Sequence, residues 1–250
     1  MIAVLLCAGY ATRLYPLTRD VPKPLLPVAG RPVLDYLMDP LASLEGLREI
    51  HLVTNERFYG HFETWHEGWF ERLKAKDIRL IRHNDGSTAD ENRLGACADL
   101  KLVLDRVADT DGILVAAGDN IFRFDLQPLW SAFRQGPHHR IVTLPETDIG
   151  RLRKTGVPVF GEDDRVQAIA EKPDQPPSAW CCPPLYFLKP SAAQVLAAFL
   201  QTAGHADAPG HFIDYLCRRE TVYAFRLKAT RLDIGNKASY RRADRLLRSP

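Results

Sequence analysis

From Leu5 to Pro27 the chain reads LLCAGYATRLYPLTRDVPKPLLP. An apolar run that stops at Gly9 and continues into Thr12 and Arg13 can turn backbone N–H groups toward a phosphate. The Thr12 hydroxyl and the Arg13 guanidinium would add donors, the second of them bidentate. Lys23 lies between Pro22 and Pro24, whose fixed φ stiffens the backbone and lets the ammonium be aimed. A solvated loop would carry the same residue types, so this segment alone leaves both readings open. Asp119 follows directly on the apolar run GILVAA, where an open parallel sheet presents its ligands, and is a candidate Mg²⁺ ligand or a simple turn residue. Asp233 opens LDIGN at a second strand end and could converge on the same metal. Glu171 and Lys172 close a third run in AEKP, which is also what an exposed charged strand end looks like.

Two common phosphate sites are excluded. There is no G-x-x-x-x-G-K-[ST], so the chain is no P-loop NTPase, and the first strand-to-helix turn lacks G-x-G-x-x-G.

Something must hold these groups in place, and the hydrophobic pattern says what. Ile2–Ala8, Glu49–Thr54, Ile78–Arg82 and Gly112–Ala117 are short apolar runs that read as buried strands. Between them Pro32–Leu44, Phe58–Lys74 and Leu94–Val107 have helical spacing, followed by Leu126–Gln135. That alternation predicts an α/β fold with a Rossmann-like, mostly parallel central sheet and helices on both faces. Beyond residue 135 the rhythm changes. Arg140–Leu144, Val157–Phe160, Val166–Glu171 and Leu185–Leu188 read as strands with little helix between them. Ser191–Gln201, Phe212–Arg219 and Lys237–Leu247 read as helices, and Val222–Leu227 as a strand. This half reads as strands added to the same sheet plus a small β-rich subregion over one end. With no Pro/Ser-rich linker or repeat, residues 1–250 are expected to form one domain of two halves, about 1–135 and 136–250.

Composition narrows the partners. Lys and Arg number 33 against 31 Asp and Glu, a net charge of +2 that is no nucleic-acid signature. The basic stretches at Arg151–Lys154 and Arg241–Arg242 read as solvated faces. No window approaches the ~18 apolar residues of a membrane span. The five cysteines are odd in number and lack a C-x-x-C pair, which suggests a reducing, cytoplasmic setting without disulfides or zinc.

Taken in order, Leu5–Pro27, Gly118-Asp119-Asn120, Glu171-Lys172-Pro173 and Asp233-Ile234-Gly235 with Tyr240 resemble the sugar-phosphate nucleotidyltransferases, such as the glucose-1-phosphate thymidylyltransferases. The resemblance runs essentially end to end. It implies a Mg²⁺-dependent transfer of a nucleoside monophosphate from a nucleoside triphosphate to a sugar 1-phosphate. Ala8, Gly9, Tyr10, Ala11 and Thr12 would wrap the triphosphate, with Arg13 on its β and γ phosphates. Lys23 would contact the α-phosphate, Asp119 and Asp233 would hold Mg²⁺, and the Gly95 backbone would read the base. Gly156 and Glu171 would meet the sugar and Lys172 its phosphate. An anionic nucleophile needs no general base, so the eight histidines, His205 among them, read as structural or surface groups.

The departures from the family pattern are specific. Ala11 stands where many relatives have glycine, so the loop is expected to have less freedom there. Asn84–Ala96 is longer than the base-recognition stretch of the thymidylyltransferases and leaves the base open. Pro183-Pro184 precedes the aromatic Tyr186 where relatives often have glycine, so the sugar pocket is expected to be reshaped. The left-handed β-helix of some relatives is lacking, which predicts a single activity. The alternatives are a cytidylyltransferase acting on a non-sugar phosphate or phosphonate, and a non-catalytic nucleotide-sugar sensor. Family members often form dimers or tetramers, so a homo-oligomer is left open, with the aromatic helix around Trp65 and Trp69 as either interface or core.

Overall fold

The protein is described from a computed structural model covering residues 1–202 and 208–248. His205 lies outside the described residues. Alternate residues of the first strand, β1 (Ile2–Leu6), enter opposite faces of a sheet, and both sets are buried. Ala3 and Leu5 join one apolar layer, Ile2 and Val4 the other. A strand covered on both sides needs apolar residues at every position, which is why β1 has no polar alternation. The chain continues through β2 (Pro27–Val28), β3 (Arg31–Pro32), α1 (Asp35–Leu41), β4 (Glu49–Thr54), α2 (His61–Lys74) and β5 (Arg79–Asn84). Then come α3 (Ala96–Leu104), β6 (Ile113–Ala117), β7 (Asn120–Phe122) and α4 (Gln127–Gln135). The second half supplies β8 (His139–Pro145), α5 (Ile149–Leu152), β9 (Gly156–Phe160), β10 (Val166–Glu171), β11 (Trp180–Cys181) and β12 (Leu185–Leu188). It closes with α6 (Ala192–Thr202), α7 (Pro209–Cys217), β13 (Val222–Arg226), β14 (Arg231–Asp233) and α8 (Lys237–Arg248).

The central sheet has the order β11-β8-β12-β6-β1-β4-β5, with β13 also paired to β8. β5, β4, β1 and β6 run parallel, β12 is antiparallel to both β6 and β8, and β13 is parallel to β8. This is the mostly parallel α/β sheet expected from the sequence, with the strands of the second half joined to its β6 side. Leu37 of α1, Trp69 of α2 and Trp130 of α4 pack on one face. Leu100 of α3, Leu196 of α6 and Phe212 of α7 pack on the other.

Several boundaries move for local reasons. The first helix begins at Asp35 rather than Pro32, because Pro32 pairs with Pro27 in a tight hairpin whose central residues Ala29 and Gly30 have φ of 50° and 81°. Two positive φ values make the turn that matches strand twist. Trp65 and Trp69 are core residues, and both indole N–H groups donate to Asp35 Oδ1, at 2.8 and 2.9 Å. Their spacing served packing.

Besides the β2–β3 hairpin, two further two-stranded sheets stand off the main one. β9 pairs antiparallel with β10, and β7 pairs antiparallel with β14. β9 and β10 are consecutive in the chain whereas β7 and β14 lie far apart in it, and both pairings bring residues to the cleft at the carboxyl edge of β1 and β6. Among the described residues no helix is long and apolar enough to cross a membrane.

Candidate active site

The loop after β1 is built to be rigid. Asn55, fully buried at the end of β4, donates from Nδ2 to the Ala8 carbonyl at 2.8 Å and accepts the Phe58 N–H at 2.9 Å. The buried Thr18 hydroxyl donates to the Ala11 carbonyl at 2.8 Å. Ala11 has φ 50° and ψ 41°, the left-handed conformation that glycine adopts freely. The methyl group costs about 1–2 kcal/mol there, so the loop keeps its turn by bracing in place of glycine. Thr12–Leu14 then forms a 3-10 turn that leaves Gly9, Thr12 and Arg13 exposed.

A cleft of about 740 Å³ opens at this edge. Ala8, Gly9, Tyr10, Ala11, Thr12 and Arg13 form part of its wall. Lys23 and Asp119 face it from the next elements and meet directly, with Nζ 2.6 Å from Oδ2. Asp119 Oδ1 accepts from Asn120 Nδ2 at 2.7 Å, and Asn120 Oδ1 in turn accepts from Arg231 at 2.5 Å. Burial pushes the Asp119 carboxyl pKa up, but the Lys23 ammonium and the Arg231 guanidinium outweigh it and hold the group below the usual carboxylate range. Asp119 is therefore ionised at neutral pH. Asp233, exposed on β14, sits opposite Asn120 in the β7–β14 register, one residue from Asp119. The pairing thus brings the two acidic strand ends to one place.

The opposite wall comes from β9, β10 and the start of α7. Gly156 pairs with Glu171 across β9–β10, and both line the cleft. Gly210 at the start of α7 is needed for close approach: a Cβ there would fall 2.0 Å from Glu171 Oε2. Burial pushes the Glu171 carboxyl up, against Lys172 and His211.

Lys172 does not line the cleft. Adjacent residues at a strand end project to opposite sides, and Lys172 leaves β10 with φ 48° and a 60% exposed side chain, its Nζ 3.8 Å from Glu171. Lys154, read from the sequence as part of a solvated face, lines the cleft instead.

Gly95 also lines the cleft, entering α3 with φ 90° and ψ 152°, a backbone shape that a side chain would strain. The long segment before it contributes Asp85, Asp90 and Arg93 to the same wall. Sequence reasoning singled out none of these, nor Asp99 and Arg231, because nothing in their local spacing says which loop faces the phosphate loop. None of the histidines among the described residues lines the cleft. Tyr240 acts from behind, its hydroxyl donating to the Pro27 carbonyl at 2.6 Å and tying α8 to the β2–β3 hairpin.

Comparison with known proteins finds matches over nearly the whole chain. The model of the family described as nucleotidyl transferase matches residues 2–249. The chain is similar to UTP–glucose-1-phosphate uridylyltransferase AglF of Haloferax volcanii, at 28% identity over 244 residues that cover 94% of this chain and 91% of the relative. It is also similar to a glucose-1-phosphate thymidylyltransferase of Neisseria meningitidis, at 30% identity, covering 77% of this chain and 66% of that one. Other relatives are longer, and the chain spans only 36%, 43% or 44% of their length. Among solved structures, UTP-bound UGPase from Acinetobacter baumannii superposes with a TM-score of 0.77 at 21% identity, over 98% of this chain and 92% of that one. At that identity the likeness speaks to the fold.

Proposed function

The chain belongs to the nucleotidyl transferase family, and from that premise we propose that it joins the nucleoside monophosphate of a nucleoside triphosphate to a sugar 1-phosphate, with magnesium. One observation carries this reading. Phosphate-binding cations (Arg13, Lys23), a carboxylate pair (Asp119, Asp233) and a buried sugar-facing carboxylate (Glu171) share a single cleft. The relatives named for transfer to glucose 1-phosphate support the same acceptor class.

The acceptor's phosphate oxygen attacks the α-phosphorus, forming a new P–O bond. The bond from Pα to the bridging oxygen breaks, and pyrophosphate leaves with that electron pair. The nucleophile is already an anion, so the barrier lies in bringing two anions together and in the charge that moves to the leaving group. Arg13 holds the triphosphate tail. Lys23, neutralised by Asp119 in the free protein, is positioned to turn its ammonium to the α-phosphate once a substrate competes for it. Lys154 on the wall and Lys172 at the rim take the acceptor phosphate, while Glu171 accepts from a sugar hydroxyl.

The donor set suits magnesium, which favours one or two carboxylates completed by substrate phosphates and water. Asp119 and Asp233 would hold it, and the ion would offset charge on the leaving pyrophosphate. A pyrophosphate-release screen tests the whole reading. Five nucleoside triphosphates are crossed with sugar 1-phosphates, phosphocholine and a phosphonate, with Asp119→Asn as the blank. A strong Asp119-dependent sugar pair is expected. Turnover only with the non-sugar acceptors would replace the acceptor class, and binding without turnover would leave a sensor.

A further inference from the structure

The segment Asn84–Ala96, which the phosphate chemistry does not use, folds into the wall of the cleft beyond the phosphate loop. Its first turn is pinned on both sides. The Asp85 N–H donates to the Thr54 carbonyl at 2.9 Å, and the Glu56 N–H donates to the Ser87 carbonyl at 2.9 Å. Asn84 Oδ1 accepts the Gly86 N–H at 2.8 Å. Asp85 is only 9% exposed, yet it lines the cleft. Its carboxylate takes the Ser87 N–H at 2.7 Å and the Ser87 hydroxyl at 2.8 and 2.9 Å, and Tyr10 closes the chain 3.3 Å from that hydroxyl. The Asp85 side chain therefore has one orientation, set by Ser87 behind it and by the phosphate loop beside it.

We infer that Asp85 selects the nucleobase, and that it selects one carrying an exocyclic amino group (cytosine, guanine or adenine) over uracil and thymine. The inference rests on the activity proposed above and names a property of the same cleft. An ionised carboxylate only accepts hydrogen bonds and has about four lone-pair positions. Ser87 supplies two donors, so acceptor capacity remains for a ligand. Cytosine and adenine offer an amino group on their reading edge, as guanine does beside its N1–H. Uracil and thymine present carbonyl oxygens there on both sides of one N–H. A carboxylate fixed against such an edge sets oxygen against oxygen. Location makes the group relevant to the base. Arg13 and Lys23 claim the phosphates, whereas Asp85 is linked through Ser87 to Tyr10 of the same cleft, and the segment it opens runs on to Gly95, which lines the cleft as well. A base that sets an oxygen against the remaining acceptor positions of a buried carboxylate is costly to bind, and sites built around such a group reject ligands that cannot satisfy it by large factors.

The test compares kcat/KM for ATP, CTP, GTP, UTP and dTTP with one acceptor, in the native protein and in Asp85→Asn. Asparagine keeps an oxygen for the Ser87 N–H, so the turn survives, but its amide offers a donor where the carboxylate could only accept. The native protein is expected to favour one amino-bearing triphosphate by at least about 100-fold over UTP and dTTP. In Asp85→Asn that ratio falls by about 10–100-fold, with UTP or dTTP gaining in absolute terms. Because the ratio is taken within one preparation, a loss of folded protein cancels. Preference of the native protein for UTP or dTTP overturns the inference, as does an Asp85→Asn ratio equal to the native one, which would leave Asp85 as a turn brace. Equilibrium binding of the five triphosphates repeats the comparison without turnover. Base preference in binding with no product from any acceptor would sink the proposed activity and keep this inference.

Discussion

At the carboxyl end of β6 a half-buried carboxylate meets a buried ammonium; across β4 and β5, on the same sheet, two histidines are buried beside each other. Asp119 meets Lys23 at 2.6 Å, and the opposite charge holds it ionised in spite of burial. The second cluster has a direction that follows from donor inventory. Arg106 can only donate, so His83 Nδ1 accepts from it at 3.1 Å. The His83 Nε2 proton then goes to His51 Nδ1 at 2.9 Å, and the His51 Nε2 proton goes to Glu49 at 2.8 Å. Both rings are neutral. For His83, burial, His51 and the like charge of Arg106 all act downward and bring its pKa to about 4. Burial makes charge expensive in both places. The nearest partners decide whether the charge persists. Asp119 faces a cation, His83 faces Arg106 and a neutral ring, and at His51 burial outweighs the one carboxylate, Glu49.

Replacing the charge in the cleft should have the largest effect. Asp119→Asn removes the partner of Lys23 and one proposed metal ligand, and turnover should fall about 10³-fold; pyrophosphate release with saturating substrates reads this. Acid should act on the other cluster. The folded pKa of His83 lies below its unfolded value of 6.5, so the unfolded chain binds a proton first as pH drops. Stability is then full above pH 6.5 and declines toward pH 4, by on the order of 2–3 kcal/mol. Urea unfolding at several pH values measures the slope, and His83→Asn should flatten it; an unchanged slope in that variant would place the acid sensitivity elsewhere.

A smaller effect separates occupancy from charge. In Gly210→Ala the new methyl group meets the end of the flexible Glu171 side chain, which can swing aside. The KM for the acceptor should rise about tenfold, equivalent to roughly 1.4 kcal/mol, with little change in melting temperature. An unchanged KM would show that Glu171 is not used by the acceptor. The smallest effect belongs to an exposed pair. Lys101 lies 2.6 Å from Asp105 one helical turn away, and Lys101→Ala should cost under about 0.5 kcal/mol. A short distance in water is worth far less than the same distance in the cleft.

The parallel half of the fold was legible because β1 and β6 are unbroken apolar runs, β4 and β5 have apolar centres, and each helix repeats at helical spacing. β10 and β12 fall where the sequence puts them, and β4 matches at both ends. What could not be read was partnership. Nothing in Asn120–Phe122 marks it as a strand, since three residues carry no period, and nothing in Arg231–Asp233 points 111 positions back along the chain. The site residues came through a family pattern that records function and not geometry, and all of them but Lys172 line the cleft. Lys172 shows the limit, because alternation at a strand end depends on which of two adjacent residues faces inward. Asp85, Lys154 and Arg231 lacked any local signal, being brought to the cleft by loops whose approach is decided by packing elsewhere.

The β7–β14 pairing also sets a clock on competence during synthesis. The eight strands of the main sheet are complete once Val222–Arg226 has been made. At that moment the growing chain has the residues of the two large apolar layers, the phosphate loop and Glu171, yet it lacks Asp233 and, with it, Ile234 and Ala243 of the third apolar cluster. The last strand and helix therefore complete two things at once, the acidic pair at the cleft and the apolar cluster that packs Leu14 and Leu26 of the phosphate loop region against Ile234 and Ala243.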